Sequence, residues 1–120
     1  MDELEFKRRT KRAALEVIHF VEGMKRGLVA DVFGRQLLRS GTSVGSNYRA
    51  ACRAKSRADM KAKLGIVEEE ADETVYWLEL LSEAGISDEK TCAPLKQEFN
   101  EILAMTVASI RTLRNHGDEK

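Results

Sequence analysis

Apolar residues recur at three- and four-residue steps in four successive segments, the spacing of one face of an α-helix. Phe6, Thr10, Ala13, Val17, Phe20, Val21 and Met24 mark the first, over about residues 5–25, with Lys7, Arg8, Lys11 and Arg12 on the rest of its surface. Gly23 and Gly27 punctuate its end, and Lys25 and Arg26 suit the negative end of its dipole. GLVAD then reads as a short connection, with Asp31 able to cap the next helix.

The second segment sets composition against register. RSGTSVGSN is rich in Gly and Ser and looks like a loop. At ~100° per residue, however, Leu37, Gly41, Val44, Gly45, Tyr48 and Cys52 share one face. Arg35, Arg39, Ser46, Arg49 and Arg53 fall within about 80° on the opposite side. A loop has no reason to hold that register across its glycines, so the spacing predicts one continuous helix over 32–54. Each interior glycine costs about 1 kcal/mol relative to Ala. Close approach of a neighbouring helix at Gly41 and Gly45 is the expected compensation, and ordinary packing within the chain explains it better than a special dimer motif.

A capping-box-like pair, Ser56 and Asp59, opens a third helix over 57–83, and Gly85 stops it. Leu64, Val67, Ala71, Val75, Leu78 and Leu81 form its main stripe. A second, weaker stripe of Ile66, Tyr76, Trp77, Leu80 and Ala84 lies roughly opposite. One apolar face suffices for a helix of a monomeric bundle. The second makes Ile66, Tyr76, Trp77 and Leu80 candidate subunit contacts, with Trp77 as anchor; the competing reading is that Trp77 closes the end of the monomer's own core. Ser87 is the expected cap of the fourth helix, over 88–115, with Leu95, Phe99, Ile102, Thr106, Ile110 and Leu113 inward. Pro94 predicts a kink or a short initial turn, and residues 116–120 are expected to fray. Four long helices with short connections predict an all-α, antiparallel up-down-up-down bundle in one domain spanning 1–120.

Composition adds one fact that the pattern does not show. The chain carries 20 Lys and Arg against 20 Asp and Glu, a net charge of zero. Residues 1–63 hold 15 basic and 7 acidic side chains, and residues 64–120 hold 5 and 13, so +8 precedes −8. The aromatic content of 6%, with one Pro, fits helix rather than sheet. No segment approaches the ~20 apolar residues of a membrane span, and no signal region opens the chain, so a cytoplasmic protein is expected. Cys52 and Cys92 lack metal-ligand or redox spacing and read as reduced thiols.

Catalytic and metal chemistry find little footing. Glu16 and His19 give one Glu-x-x-His spacing, but His116 offers no second, and a di-metal bundle site needs both. Glu69 and Glu73 share a face without a His, a phosphate loop or a nucleophile beside them. The expectation is a non-enzymatic protein without metal or cofactor. Arg35, Arg39, Arg49 and Arg53, extended by Lys55, Arg57, Lys61 and Lys63, form the strongest candidate for binding an anionic partner such as RNA or DNA. The same arginines can instead pair with the acidic third helix, within or between subunits, and that reading is preferred. Tyr48 is the one aromatic near the row that could stack on a base.

The segments FGRQLLRSGTSVGSNYRAACRAKS and KLGIVEEEADETVYWLELL, continued through ISDEK and the last helix, closely resemble the four-helix-bundle family of 23S ribosomal-RNA intervening-sequence proteins. The resemblance covers nearly the whole chain and is densest from Arg35 to Leu81. It implies an antiparallel bundle, supports a continuous second helix, and implies assembly with itself into rings of five. It implies little about mechanism, because the family name records where some of its genes lie. A related branch, the accessory proteins of diversity-generating retroelements, forms basic pentameric rings that associate with a reverse transcriptase and nucleic acid. This chain departs from that branch in its zero net charge and acidic second half. The resulting expectation is a self-assembling scaffold or binding module, with a nucleic-acid-binding accessory protein as the alternative.

Overall fold

A computed structural model describes residues 2–118, with side chains as far as Asn115. Four helices follow one another: α1 (Glu3–Glu22), α2 (Leu28–Cys52), α3 (Arg57–Glu83) and α4 (Glu89–Asp118). Asp2 caps α1 by accepting from the Glu5 N–H at 2.7 Å, so the helix opens earlier than its apolar stripe suggests. It ends at Glu22, where the Gly23 N–H donates to the carbonyls of His19 and Phe20.

The largest departure from expectation is the start of α2, at Leu28 rather than Val32. GLVAD is not a connection but the first turn of the helix, with Gly27 at the cap position and Ala30 already buried. Asp31 therefore does not cap. Its backbone N–H donates to the Gly27 carbonyl at 2.8 Å. Its carboxylate sits in the first turn, where the helix dipole favours a negative charge, and accepts both arms of Arg26 at 2.9 and 3.0 Å. The far end stops at Cys52, two residues short of expectation.

Ser56 accepts from the Asp59 N–H at 3.0 Å, while the Asp59 carboxylate accepts from the Lys55 N–H at 3.2 Å, a reciprocal cap at the head of α3. Gly85, at φ 75°, turns the chain left-handed and lets the Ile86 and Ser87 N–H groups close on the Leu81 carbonyl. Asp88, not Ser87, opens α4: its Oδ1 accepts the Thr91 N–H and hydroxyl, both at 2.8 Å. Pro94 neither breaks the helix nor confines it to a short first turn, for α4 runs unbroken through it. The N–H it lacks would have reached the carbonyl of Lys90, an exposed residue that water can serve. The helix continues to Asp118, three residues past the expected end, while residues 119–120 of the segment expected to fray lie outside the described residues.

Every neighbouring pair of helices runs antiparallel. Along α1 and α2, Val17 meets Gly41 and Thr10 meets Gly45; along α2 and α3, Phe33 meets Trp77 and Ser40 meets Thr74. Each helix packs against the next, and α1 against α4 closes the ring with the thinnest contact. The result is a rod of 53 × 22 × 21 Å. Phe6, Val17, Leu37, Val67, Leu78 and Phe99 lie in one core cluster, and Ala51, Leu64 and Ile110 form a second.

The glycine-rich stretch of α2 is where α1 comes closest. A Cβ on Gly41 would lie 2.8 Å from Val17 Cγ2, and one on Gly45 would lie 3.3 Å from Thr10 Oγ1. The polar side chains between them are absorbed by the helix itself. Thr42 bonds the Leu38 carbonyl at 2.6 Å, Ser43 that of Ser40 at 2.9 Å, and Ser46 and Asn47 that of Ser43 at 3.1 and 2.9 Å. Apolar faces on both flanks of the helix supply the tertiary contact that propensity does not.

Candidate functional site

The arginines expected to form one row behave differently from one another. Arg39 turns onto α3: Nη1 lies 3.2 and 3.3 Å from the Glu70 carboxylate oxygens, Nη2 pairs with Glu73, and Nε donates to Gln36 at 3.2 Å. Glu73 also accepts the Trp77 indole N–H at 3.0 Å, so one carboxylate ties α2 to the aromatic end of α3. Arg35, Arg49, Arg53, Lys55 and Arg57 are exposed, and among the described residues none of them enters an ion pair. Lys63 pairs with Asp59 at 2.8 Å, whereas Lys61 is exposed and unpaired among the described residues. The row is thus interrupted at Arg39 and thickens around the α2–α3 turn. Arg57 stands there in the first turn of α3, at the positive end of the helix dipole, where a cation does not favour the helix.

Tyr48 is not a stacking platform. Its ring packs edge-on against Phe6 at 4.6 Å, and burial, followed by its contact with Cys52, pushes the phenol well above its usual range. The Cys52 thiol is raised by burial first and by Glu3 second, and Cys92, fully buried, is raised by burial. Both shifts run opposite to that of an activated thiolate.

The residues named as subunit contacts divide. Trp77 is half-buried, meets the Phe33 ring at a tilt of 41° with centroids 5.5 Å apart and borders the core, while Tyr76 beside it is 55% exposed. Leu80 is half-buried one turn along. Ile66, 40% exposed, is separated from them by the Arg39–Glu70–Glu73 cluster. At the same end of the α2–α3 pair as Trp77, the first turns of α2 expose Leu28 (82%), Val29 and Val32. Leu28 and Val29 belong to the connection expected over 27–31, whereas Val32 is the expected first residue of the helix; the spacing of Val29 and Val32, continuous with Phe33 and Gln36, is the signal that α2 begins sooner. Leu28, Val32 and Tyr76 thus leave apolar side chains exposed at this end of the α2–α3 pair.

On the far side of α3 an open groove of about 650 Å³ runs between α3 and α4, lined by Asp72, Val75, Glu79, Lys96 and Asn100 among others. Lys96 is engaged with Glu89 at 2.7 Å and Glu101 with Arg9 at 2.6 Å, which leaves Asp72 and Glu79 as its free charges among the described residues. Glu16 and His19 are both exposed, and His19 lies 3.5 Å from Glu22; the His116 side chain is outside the described residues. Among the described residues no group of three or more His, Cys, Asp and Glu could hold a metal ion, and no helix is long and apolar enough to cross a membrane.

The comparisons agree with these helices. A family model described as 23S rRNA-intervening sequence protein matches residues 2–108. The chain belongs to that family. Among solved structures it is similar to a protein of unknown function from the S23 ribosomal protein family of Bacteroides thetaiotaomicron VPI-5482, with 33% identity and a TM-score of 0.80. The similarity covers 88% of this chain and 97% of that one. No curated protein matches it. For this intervening-sequence protein, then, the match from residue 2 to residue 108 takes in the glycine-rich packing face of α2, the Arg39 cluster and the exposed apolar side chains at the end of the α2–α3 pair together.

Proposed function

We propose that the protein is a non-enzymatic helical module that assembles with copies of itself into a homopentameric ring and serves as a scaffold or binding platform. The observation that carries this reading is the exposure of Leu28 and Val32 on α2 and of Tyr76 on α3 at the end of the bundle where Phe33 meets Trp77. Burying these side chains removes a large aliphatic and aromatic area from water, at ~25 cal/mol per Å². Trp77, already fixed by Phe33 and Glu73, is a rigid anchor that loses little freedom on contact. The size of five comes from the family resemblance.

The reading as an RNA- or DNA-binding accessory protein would rest on Arg35, Arg49, Arg53, Lys55 and Arg57. Arg39 breaks that row by pairing with α3, and Tyr48 faces the core. Self-assembly is therefore preferred. Light scattering on the purified chain at micromolar concentration should return about five chain masses. A monomer there would overturn the reading. Salt-sensitive binding of structured RNA, lost on Arg49→Glu with Arg53→Glu, would shift it to the accessory protein.

A further inference from the structure

Internal pairing leaves two opposite sets of charge on this rod. Along the outer face of α2, Arg35, Arg49 and Arg53 are exposed and without an ion-pair partner among the described residues. Along the α4-facing flank of α3, Asp72, Glu79 and Glu83 are likewise exposed and unpaired among the described residues. At 1.5 Å per residue the basic row spans about 27 Å from Arg35 to Arg53. The acidic flank spans about 17 Å from Asp72 to Glu83. Acidic residues near the basic row are engaged by other cations: Glu70 and Glu73 by Arg39, Asp59 by Lys63, and Asp31, one turn from Arg35, by Arg26.

The two faces also point in different directions. In a four-cornered bundle the outer ridge of α2 and the groove between α3 and α4 are separated by more than a right angle around the axis. A two-fold contact through either face would set like charge against like charge, which is costly. A contact between the basic face of one molecule and the acidic face of the next avoids this repulsion, and a head-to-tail contact of that kind closes into a ring or runs on as a filament.

We infer that the outer face of α2 is the docking partner of the α3–α4 groove of a second copy of this chain. This rests on the self-assembly proposed above and adds which surfaces meet. The charge division of the sequence is then the two halves of one repeated interface, with Asp72 and Glu79 in the groove receiving arginines of the neighbour.

Three variants test it by light scattering and sedimentation, with circular dichroism confirming helix content. The first carries Arg35→Glu, Arg49→Glu and Arg53→Glu. The second carries Asp72→Lys, Glu79→Lys and Glu83→Lys. The third combines all six. Each single-face variant should fall to monomer mass at concentrations where the unaltered chain is assembled. The six-fold variant, whose faces are again complementary, should recover the assembled mass, and raised salt should weaken both it and the unaltered chain. Single-face variants that stay assembled, or a folded six-fold variant that stays monomeric, would overturn the pairing of these faces and leave self-assembly standing. An unaltered chain that is itself monomeric would overturn self-assembly first. Assembly that is unchanged, with loss of RNA binding in the first variant alone, would assign the arginines to nucleic acid and reject the pairing.

Discussion

Replacing Gly41 with Ala tests whether the close approach of α1 is what holds the glycine-rich part of α2 in place. The new methyl would lie 2.8 Å from Val17 Cγ2, 3.1 Å from Cγ1 and 3.3 Å from Cβ. Carbon atoms pack best at about 3.5–4.0 Å, so all three contacts are too short. Val17 is fully buried and β-branched, which leaves it no rotamer to escape into. Overpacking of this kind costs about 1–3 kcal/mol. The higher helix propensity of Ala returns roughly 1 kcal/mol, for a net loss of about 0–2. Gly65→Ala is the matched control, because a Cβ there meets nothing within 4 Å. It should gain up to about 1 kcal/mol from propensity alone. The two identical substitutions should therefore differ by about 1–3 kcal/mol in urea unfolding followed by helix ellipticity. Protein concentration must be held fixed, since assembly contributes to apparent stability. Adding Val17→Ala to Gly41→Ala should recover part of the loss, with a favourable coupling on the order of 1 kcal/mol. Gly41→Ala as stable as Gly65→Ala would refute the reasoning.

Three further outcomes are expected. Thr74 Oγ1 lies 2.8 Å from both the Ser40 hydroxyl and the Glu70 carbonyl, and Thr74 and Ser40 are fully buried. Thr74→Val should cost about 1–2 kcal/mol in chemical denaturation, and adding Ser40→Ala should recover part of it; a further loss on adding Ser40→Ala would show that the buried hydroxyl pair is not the cause. Arg9 bonds Glu98 at 2.8 and 2.9 Å and Glu101 at 2.6 Å across α1 and α4, so Arg9→Ala should cost about 1–2 kcal/mol by the same measurement, and no loss would show the bridge to be ornamental. Asp31, Asp59 and Asp88 are held below 3.8 by Arg26, Lys63 and Thr91, and Glu89 and Glu101 below 4.5 by Lys96 and Arg9. Because their folded values lie below the unfolded ones, their stabilisation is present above the unfolded range and is lost as pH falls through the folded values. Thermal midpoints should stay flat down to about pH 4.5 and drop below it; a rise on acidification would contradict the assignment.

The core faces were legible because burial in a helix writes itself at three- and four-residue steps: Leu64, Val67, Ala71, Leu78 and Leu81 are all buried. Register even outweighed composition in α2, where Leu37 and Val44 stay on one line across Gly41. The start of α2 was misread for a physical reason. Gly27 caps without a side-chain bond, so the usual Ser, Thr, Asp or Asn marker is missing, and Asp31 offered a false one. The same error hid Leu28 and Val29 as exposed apolar residues of a helix. The Arg39 cluster was not legible residue by residue, because Arg39 and Glu70 stand 31 positions apart and their meeting depends on how two helices slide against each other. Charge segregation between the halves of the chain said that such pairing was available, and only the three-dimensional register says which arginine takes it.

The thin closure between α1 and α4 has a kinetic meaning. The α1–α2, α2–α3 and α3–α4 pairs each form between consecutive helices, across short turns and at modest loop-closure entropy. The α1–α4 seam joins the two most distant helices in sequence, with Arg9 as its polar bridge. That separation predicts that the seam forms last and opens first. Arg9→Ala should therefore speed unfolding while leaving the refolding rate nearly unchanged, whereas substitutions in the α2–α3 hairpin should slow refolding. A bundle that closes last along its terminal helices keeps those helices exchangeable, and at high concentration the same seam is where one chain could trade its first or last helix with another.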